Sequence, residues 1–508
     1  MNIINEYLTL SEFSKIIFEN KQIEVHPEVT RRVIESFEFL RDFSSNKVIY
    51  GVNTGFGPMA QYRIKEEDCL QLQFNLIRSH SSGTGQPLSA LHTKAAILAR
   101  LNTLSRGNSG IHISVIKLMK ELINRDITPL IFSHGGVGAS GDLVQLAHLA
   151  LVLIGEGEVF YKGERKSTQE VFAIENLKPI EVKIREGIGL MNGTSVMTGI
   201  GIVNVRQAET LLDYAVKASC MINELVQAYD DHLSETLNHT KLHKGQQKIA
   251  ADMRAHLADS QLVRKRADHL YSGTNTEEVF KEKVQEYYSI RCIPQILGPI
   301  SDTIENVGTI LENEINSAND NPIIDVATQQ VYHGGNFHGD YVALEMDKLK
   351  LVITKLSMLA ERQLNYLLNA KINELLPPFV NLGKLGFNFG MQGVQFTATS
   401  TTAENQALST SMYVHSIPNN NDNQDIVSMG TNAALMCSKV IENAFEVLAI
   451  EYITIAQAID ALEITAKLSQ SSKKEYDNIR RIVATFSEDQ IMYPYVQKVK
   501  EYLMQAIN

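Results

Sequence analysis

The residues Ala139-Ser140-Gly141 have the types and the order needed to build an electrophilic ring from the backbone itself. A glycine amide nitrogen is the least hindered in a protein, so Gly141 can attack the Ala139 carbonyl where the chain bends tightly. The glycines in the preceding HGGVG segment permit such a bend. Loss of two waters, one of them including the Ser140 hydroxyl, would give a methylidene-imidazolone. Natural side chains are not electrophiles, so this ring would supply chemistry that otherwise needs a cofactor.

Residues 136–141 also satisfy the GxGxxG pattern of dinucleotide-binding loops, because they read Gly-Val-Gly-Ala-Ser-Gly. An apolar run precedes them and a helical pattern follows. A doubly wound sheet requires strands that alternate with helices, whereas the later part of the chain has mainly helical periodicity. The sequence therefore disfavours an NAD-dependent oxidoreductase. That class, an inert helical scaffold and a plain tight turn are the alternatives to the ring.

The segment around the tripeptide, HGGVGASGDLVQLAHLAL, resembles the cyclisation segment of the histidine, phenylalanine and tyrosine ammonia-lyases and the related aminomutases. Further segments resemble motifs of these enzymes in the same order along most of the chain, and the tyrosine ammonia-lyases are the most similar group. These segments are VIYGVNTGFG (48–57), LIRSHSSG (76–83), NGTS (192–195), QEYYSIRCIPQ (285–295), NDNPIID (319–325), GGNFHGD (334–340) and NQDIVSM (423–429).

The resemblance implies a prosthetic group and a base. The group would be 4-methylidene-imidazol-5-one, formed autocatalytically from Ala139, Ser140 and Gly141, with no metal and no dissociable cofactor. Tyr50 would be the base that removes the weakly acidic substrate proton. A tyrosine acts as a base only as phenolate, so cationic groups or helix N-termini must stabilise that form. The glycines of the VIYGVNTGFG segment suit a mobile lid that carries the base.

The resemblance also implies the substrate contacts. Arg291 would hold the substrate carboxylate, since a guanidinium pairs with a carboxylate through two parallel hydrogen bonds. Tyr288 and Gln285 lie three and six residues upstream, so we expect them near the same helix face. Tyr288 would act near the reacting carbon, and Gln285 would orient the substrate. The other implied contacts are Gly57, Asn192 (on the imidazolone carbonyl), Phe337 (beside the ring) and Asn423.

Two positions bear on the choice of substrate. Ser79 and His80 occupy the place that resembles the ring-reading pair of the family, and His80 can hydrogen-bond a phenol hydroxyl. Histidine lyases also carry Ser-His there, but they resemble Gln-Glu-Asp-His where this chain reads Asn423-Gln424-Asp425-Ile426. Because neutral Gln424 replaces a carboxylate that could pair with an imidazole, we favour L-tyrosine, converted to trans-4-coumarate and ammonia. Histidine ammonia-lyase, phenylalanine lyase and tyrosine 2,3-aminomutase remain alternatives.

Long helices are the elements that must position these residues. The sequence predicts a mainly α fold, in which a mixed N-terminal domain rich in glycine loops (1–200) carries the ring and the lid tyrosine. A central and C-terminal bundle of long helices (201–508) would supply substrate-binding loops. In 342–368 the apolar residues recur at helical spacing, and 438–462 is similar. The family resemblance implies a homotetramer with shared active sites.

The composition excludes several classes of partner. The net charge is -11, and binding to nucleic acid needs a basic surface. No uncharged apolar run reaches the length of a membrane span, and the N-terminus does not have the pattern of a secretory signal. The four cysteines lie far apart without metal-binding spacing, as expected for free thiols in a reducing compartment. We expect a soluble cytoplasmic enzyme whose partners are an amino acid substrate and copies of itself.

Overall fold

Helices dominate the computed structural model, which describes residues 2–271, 278–280 and 283–505. Within these residues there are 20 α-helices and nine short strands, so the mainly α fold predicted from the sequence is confirmed. In the described part of the chain, no helix is both long and apolar enough to cross a membrane.

The helices vary from about one turn to about nine turns in length. In chain order they are α1 (Leu10–Phe18), α2 (Pro27–Phe43), α3 (Cys69–His80), α4 (Ala90–Leu104), α5 (Ile113–Asn124), α6 (Leu143–Leu153), α7 (Thr168–Ile174), α8 (Glu186–Met191), α9 (Ser195–Leu225), α10 (Glu235–His239), α11 (Lys244–His256), α12 (Arg266–Leu270), α13 (Tyr288–Arg291), α14 (Ile293–Ile315), α15 (Asp340–Leu368), α16 (Ala370–Asn373), α17 (Gln392–Leu408), α18 (Gly430–Leu462), α19 (Gln470–Ile482) and α20 (Tyr493–Gln505).

The strands form four small sheets instead of the single parallel sheet that a dinucleotide-binding fold needs. They are β1 (Asn2–Ile4), β2 (Ile23–Val25), β3 (Thr84–Pro87), β4 (Thr128–Pro129), β5 (Phe132–His134), β6 (Glu158–Tyr161), β7 (Glu164–Ser167), β8 (Ile323–Asp325) and β9 (Gln330–Tyr332). β1 and β2 pair in parallel, whereas β3–β5, β4–β6–β7 and β8–β9 are antiparallel. Among the described residues, the GVGASG segment therefore does not follow a strand of a doubly wound sheet.

The chain divides into two compact units, and each unit is assembled from three separate segments. Unit 1 consists of Met1–Val205, Val307–Asp347 and Ser411–Ser438. Unit 2 consists of Arg206–Asn306, Lys348–Thr410 and Lys439–Asn508. Unit 1 therefore contains the region expected to carry the ring, together with two later segments.

The long helix α15 shows why its sequence folds as it does. Its apolar residues Ile353, Leu356, Ala360, Leu364 and Leu367 recur every three or four positions, and all five are at most 2% exposed. The helix begins at Asp340, close to the predicted start, and ends at Leu368 as predicted. Helical periodicity was therefore a reliable guide in this part of the chain.

Three helices of unit 1 position the tripeptide and its neighbours. α3, α6 and α8 pack against one another, and α6 buries Leu146, Leu149 and Leu153 completely. His80 is the last residue of α3, the tripeptide lies just before α6, and Asn192 caps the C-terminus of α8. Because helix termini bear these residues, the packing of three helices brings them close together.

Candidate active site

The turn at Ala139-Ser140-Gly141 is fixed by backbone contacts that only glycine permits. Gly141 has a positive φ of 72°, and a Cβ atom there would lie 2.0 Å from the carbonyl oxygen of Gly193. The amide of Asp142 donates to the same Gly193 oxygen at 2.8 Å. Gly138, at φ 76°, has equally little space, since its Cβ would lie 2.0 Å from Ser428 Oγ. The tight bend expected from the sequence is therefore present.

Asp142 anchors the far side of this turn. Its Oδ2 accepts the backbone N–H groups of Val196 (2.8 Å) and Met197 (2.9 Å) in the first turn of α9, and the hydroxyl of Thr431 donates to its Oδ1. Complete burial raises the pKa of Asp142 to about 6, although these three donors act in the opposite direction. The carboxyl group therefore fixes the position of the turn relative to α9.

Two amide side chains contact Ser140. Asn192 Nδ2 donates to the Ser140 carbonyl oxygen at 2.9 Å, and Gln424 Nε2 donates to the Ser140 hydroxyl at 3.0 Å. Asn192 Oδ1 is buried and has no hydrogen-bond partner among the described residues. Ala139, the small residue before Ser140, is 4% exposed.

One cavity of about 960 Å³ in unit 1 collects most of the predicted site. Ala139 lies behind it, 4% exposed and packed against Val427 and Met429. Aromatic, amide and hydroxyl side chains line the cavity, and no lysine or arginine is among its described lining residues. The predicted residues that line it are Tyr50, Gly57, Ser79, His80, Ser140, Asn192, Phe337, Asn423 and Gln424.

Tyr50 projects its hydroxyl into a loop that folds back on it. The backbone N–H of Gly57 donates to the phenol oxygen at 3.1 Å. The ring of Phe56 packs edge-on against the Tyr50 ring, with 5.9 Å between centroids. The loop from 50 to 57 thus holds the tyrosine from both its polar and its apolar side.

The hydrogen bonds of His80 define which of its ring nitrogens is a donor and which is an acceptor. Nδ1 lies 3.0 Å from the carbonyl oxygen of Leu76 and 3.0 Å from Ser79 Oγ. A carbonyl oxygen only accepts, so Nδ1 carries the hydrogen and Nε2 of the neutral ring is an acceptor. Nε2 therefore suits a substrate hydroxyl that donates a hydrogen bond.

Asn420 and Asn421 also line the cavity, although neither was predicted from the sequence. Both have positive φ, at 55° and 51°, a conformation that asparagine tolerates better than most residues. Asn420 lies against Gly57, where an added Cβ would be 2.7 Å from its Nδ2. The Asn-rich run SIPNNNDNQD (416–425) was the available signal. The cavity wall also includes apolar Leu143 and Ile188, which no local motif identified.

Gln285, Tyr288 and Arg291 lie in unit 2 and are not among the residues that line the cavity of unit 1. Gln285 and Tyr288 line a separate pocket of about 630 Å³, and the Arg291 guanidinium stacks over the Tyr288 ring at 4.8 Å. The expectation of one shared helix face was wrong for Gln285, because α13 begins only at Tyr288. Arg291 Nε is buried without a hydrogen-bond partner among the described residues.

This fold and this site define an enzyme class that acts on amino acids through a backbone-derived electrophile. The profile of the aromatic amino acid lyase family matches residues 8–481, and the chain belongs to this family. Members of the family use an autocatalytically formed methylidene-imidazolone group.

Two curated relatives and one solved structure show how close the similarity is. Tyrosine 2,3-aminomutase of Chondromyces crocatus is 36% identical over 510 residues, covering 99% of this chain and 96% of the relative. Histidine ammonia-lyase of Natranaerobius thermophilus is 34% identical over 507 residues, covering 100% and 97%. The crystal structure of tyrosine aminomutase from Streptomyces globisporus has a TM-score of 0.95 at 34% identity, covering 100% of this chain and 97% of that one. These similarities do not single out the tyrosine ammonia-lyases.

The contact between Gly141 and Gly193 predicts the effect of a single methyl group. Gly141→Ala is expected to lower the free energy of unfolding by about 2 kcal/mol more than Gly163→Ala, because overpacking adds to backbone strain. Gly163 is the matched control, since it has a similar φ of 81° but nothing within 4 Å of an added Cβ. Denaturant titration of both variants measures the difference. Equal losses would show that the Gly193 oxygen does not restrict position 141.

Proposed function

We propose that this chain eliminates ammonia from L-tyrosine and releases trans-4-coumarate. The observation that carries the proposal is the cavity of unit 1, where Tyr50, His80, Ser140 and Asn192 meet. This cavity, which has the volume of a ligand site, brings together a base (Tyr50), a hydrogen-bond acceptor for a phenol (His80) and the precursor of an electrophile (Ser140).

The chain's own residues suit formation of the electrophile. Ala139, Ser140 and Gly141 would cyclise to 4-methylidene-imidazol-5-one, which when formed supplies the electrophilic centre that the reaction needs. Asn192 Nδ2 already donates to the Ser140 carbonyl, which remains the carbonyl of the ring. Gln424 contacts the Ser140 hydroxyl, which leaves as water. The Gln424 amide therefore loses this acceptor on maturation and becomes available to the substrate.

Tyr50 is proposed to take the proton from the substrate carbon next to the aromatic ring. The proton is weakly acidic, so the acceptor atom, Tyr50 Oη, must be held close to that carbon. The Gly57 N–H and the edge of Phe56 fix the orientation of the side chain. Because Gly57 donates to Oη, the oxygen has a backbone partner that suits its negatively charged form.

The proposed preference for tyrosine rests on His80 and Gln424. His80 Nε2 is an acceptor in the neutral ring and would receive the phenol O–H of tyrosine. Phenylalanine would leave this nitrogen without a partner, and a polar group that a ligand covers without pairing weakens binding. Gln424 is neutral, so it does not provide the carboxylate that would favour the imidazole of histidine.

Tyrosine 2,3-aminomutase is the second candidate function, and the relatives support it. The Chondromyces crocatus and Streptomyces globisporus enzymes both carry that activity in their names. A mutase and a lyase both remove the amino group and the neighbouring proton. They differ in whether the unsaturated acid leaves before ammonia adds back to it. The same cavity, with His80 and Gln424 beside the substrate, would serve either reaction.

We further propose a homotetramer in which another copy of the chain supplies Gln285, Tyr288 and Arg291 to each cavity. A substrate carboxylate needs a cationic partner, and the described lining of the unit 1 cavity has no lysine or arginine. The Arg291 guanidinium would supply this charge, and it stacks on Tyr288, which lines the pocket of unit 2.

The intact mass and the product spectrum test the proposed reaction together. The purified chain is expected to be lighter than its sequence mass by two water molecules and to convert L-tyrosine into an acid with the mass of 4-coumarate. β-Tyrosine as the main product would favour the aminomutase. Ser140→Ala should fold normally but lose turnover by orders of magnitude, because alanine has no hydroxyl to eliminate. A chain of full mass that still deaminates tyrosine would refute the electrophile.

Two reciprocal substitutions test the choice of substrate. His80→Phe should change the kcat/KM ratio of tyrosine to phenylalanine by about 100-fold in favour of phenylalanine, the effect of one unpaired hydrogen bond. Gln424→Glu should raise the kcat/KM for histidine relative to tyrosine, because it adds a carboxylate. Each variant is the control for the other, and an unchanged ratio in both would contradict the assigned roles.

Mixing two inactive variants tests the shared active site. Ser140→Ala and Arg291→Ala chains are expected to be inactive alone but to regain activity after joint refolding, since mixed oligomers contain cavities with one intact copy of each residue. Mixed Ser140→Ala and Asn192→Ala chains are the matched control, because both changes lie in unit 1 and should not complement. Light scattering gives the number of chains, and complementation in neither mixture would argue against a shared site.

A further inference from the structure

Arg100 of α4 is completely buried beneath the loop that carries Asn192. Its Nη2 donates to the carbonyl oxygen of Gly189 at 2.5 Å, and its Nη1 lies 3.4 Å from Asn319 Oδ1. A Cβ on Gly193 would lie 2.4 Å from Nη1, so the guanidinium packs directly against that glycine. Arg100 therefore contacts the chain on both sides of Asn192.

The position of Asn192 depends on the two segments that Arg100 contacts. Its backbone N–H donates to the carbonyl oxygen of Ile188 within α8, and the residue after it, Gly193, pairs with Gly141. Any shift of this loop would move Asn192 Nδ2 away from the Ser140 carbonyl, which it now contacts at 2.9 Å. Burying a guanidinium is costly unless its hydrogen bonds are made, so the contacts of Arg100 resist such a shift.

Arg100 Nε has no hydrogen-bond partner among the described residues, which is unusual for a group with so little access to water. Burial lowers the pKa of Arg100 to about 10, so the group still carries its charge at neutral pH. The charged groups that act on it are Asp320, Arg185 and Asp142. The Arg100 guanidinium contacts the Gly189 carbonyl, Gly193 and Asn319 and forms no ion pair with a carboxylate among the described residues.

We propose that Arg100 is a positioning residue for ring formation, which it assists by holding Asn192 on the Ser140 carbonyl. This inference rests on the proposed cyclisation of Ala139-Ser140-Gly141. Cyclisation joins Gly141 N to the Ala139 carbonyl carbon, and that carbonyl oxygen leaves as water with the amide hydrogens of Gly141 and Ser140. The second water takes the Ser140 hydroxyl and the Ser140 Cα hydrogen.

The second dehydration is the step that depends on Asn192. Removal of the Ser140 Cα hydrogen places negative charge on the adjacent carbonyl oxygen, and a donor that is already in position stabilises this charge. The Asn192 amide is that donor. A lysine at position 100 would keep the charge but not the planar fork that contacts Gly189 and Gly193 together. The loop would then relax and the Asn192 contact would lengthen.

The variant Arg100→Lys tests this role independently of activity. The measurement is the fraction of chains whose intact mass shows the loss of two waters. We expect a folded protein whose cyclised fraction is clearly lower than in the wild type. Turnover per cyclised chain should fall by up to about 100-fold with little change in KM, the effect of a misplaced group of about 1 Å. Lys94→Met is the matched control, since Lys94 is a buried cation on the same helix but pairs with Asn20 and Asp126, away from α8.

A double variant separates positioning from general loss of stability. If Arg100 acts through Asn192, adding Arg100→Lys to Asn192→Ala should not lower the cyclised fraction further. The proposal would be wrong if the two changes were additive, if Lys94→Met had the same effect, or if Arg100→Lys cyclised and turned over like the wild type. A wild-type chain of full mass would instead refute the proposed function itself, so the two failures are distinguishable.

Discussion

The carbonyl oxygen of Gly193 occupies the space where a side chain at position 141 would lie, 2.0 Å from an added Cβ. This close approach of two backbone segments determines much of the surrounding structure. It requires glycine at both positions, each with a positive φ, and it places the Asp142 N–H on the same oxygen. Because Gly193 follows Asn192, the contact also aligns the Asn192 amide with Ser140. The turn, its donor and the start of α6 are therefore fixed together.

Two buried charged side chains, those of Asp142 and Arg100, hold the segments that form this contact. Asp142 binds the N-terminal N–H groups of α9, and Arg100 binds the end of α8. Each of these groups costs free energy to bury and regains it only through directed hydrogen bonds, so both tolerate little displacement. An apolar core of the same volume would pack the helices equally well but would not specify the position of a single loop so closely.

The sequence allowed the helices to be predicted where packing follows a regular period. In α15 and α18 a buried stripe recurs at helical spacing, and both helices are present over the predicted segments. The glycine loop and most cavity residues were also found, because special backbone conformations and family motifs leave local traces. Arg100 leaves no such trace, since a charged residue within an apolar pattern does not reveal whether it is exposed or buried.

The segment around Arg291 shows where periodicity misleads. Gln285, Tyr288 and Arg291 have a spacing that fits one helix face, yet α13 contains only Tyr288–Arg291. Pro294 bears only on the other end of α13. Proline has no N–H group and fits best in the first turn of a helix, so α14 starts anew at Ile293 just before it. At the start of α13, Tyr287 has an extended backbone (φ -61°, ψ 155°), so Gln285 does not belong to this helix, which residue spacing alone does not reveal.

The side-chain amides of Asn192 and Gln424 contact different atoms of Ser140, and the roles proposed for the two residues differ accordingly. Asn192 donates to the carbonyl oxygen, an atom that survives cyclisation, so the proposed role of Asn192 extends from ring formation to the mature enzyme. Gln424 binds the hydroxyl, an atom that cyclisation removes, so its amide is released to face the cavity. In the proposed function, substrate choice would therefore change at Gln424 and His80, which lie on a loop and at a helix end, without disturbing the buried contacts around the tripeptide.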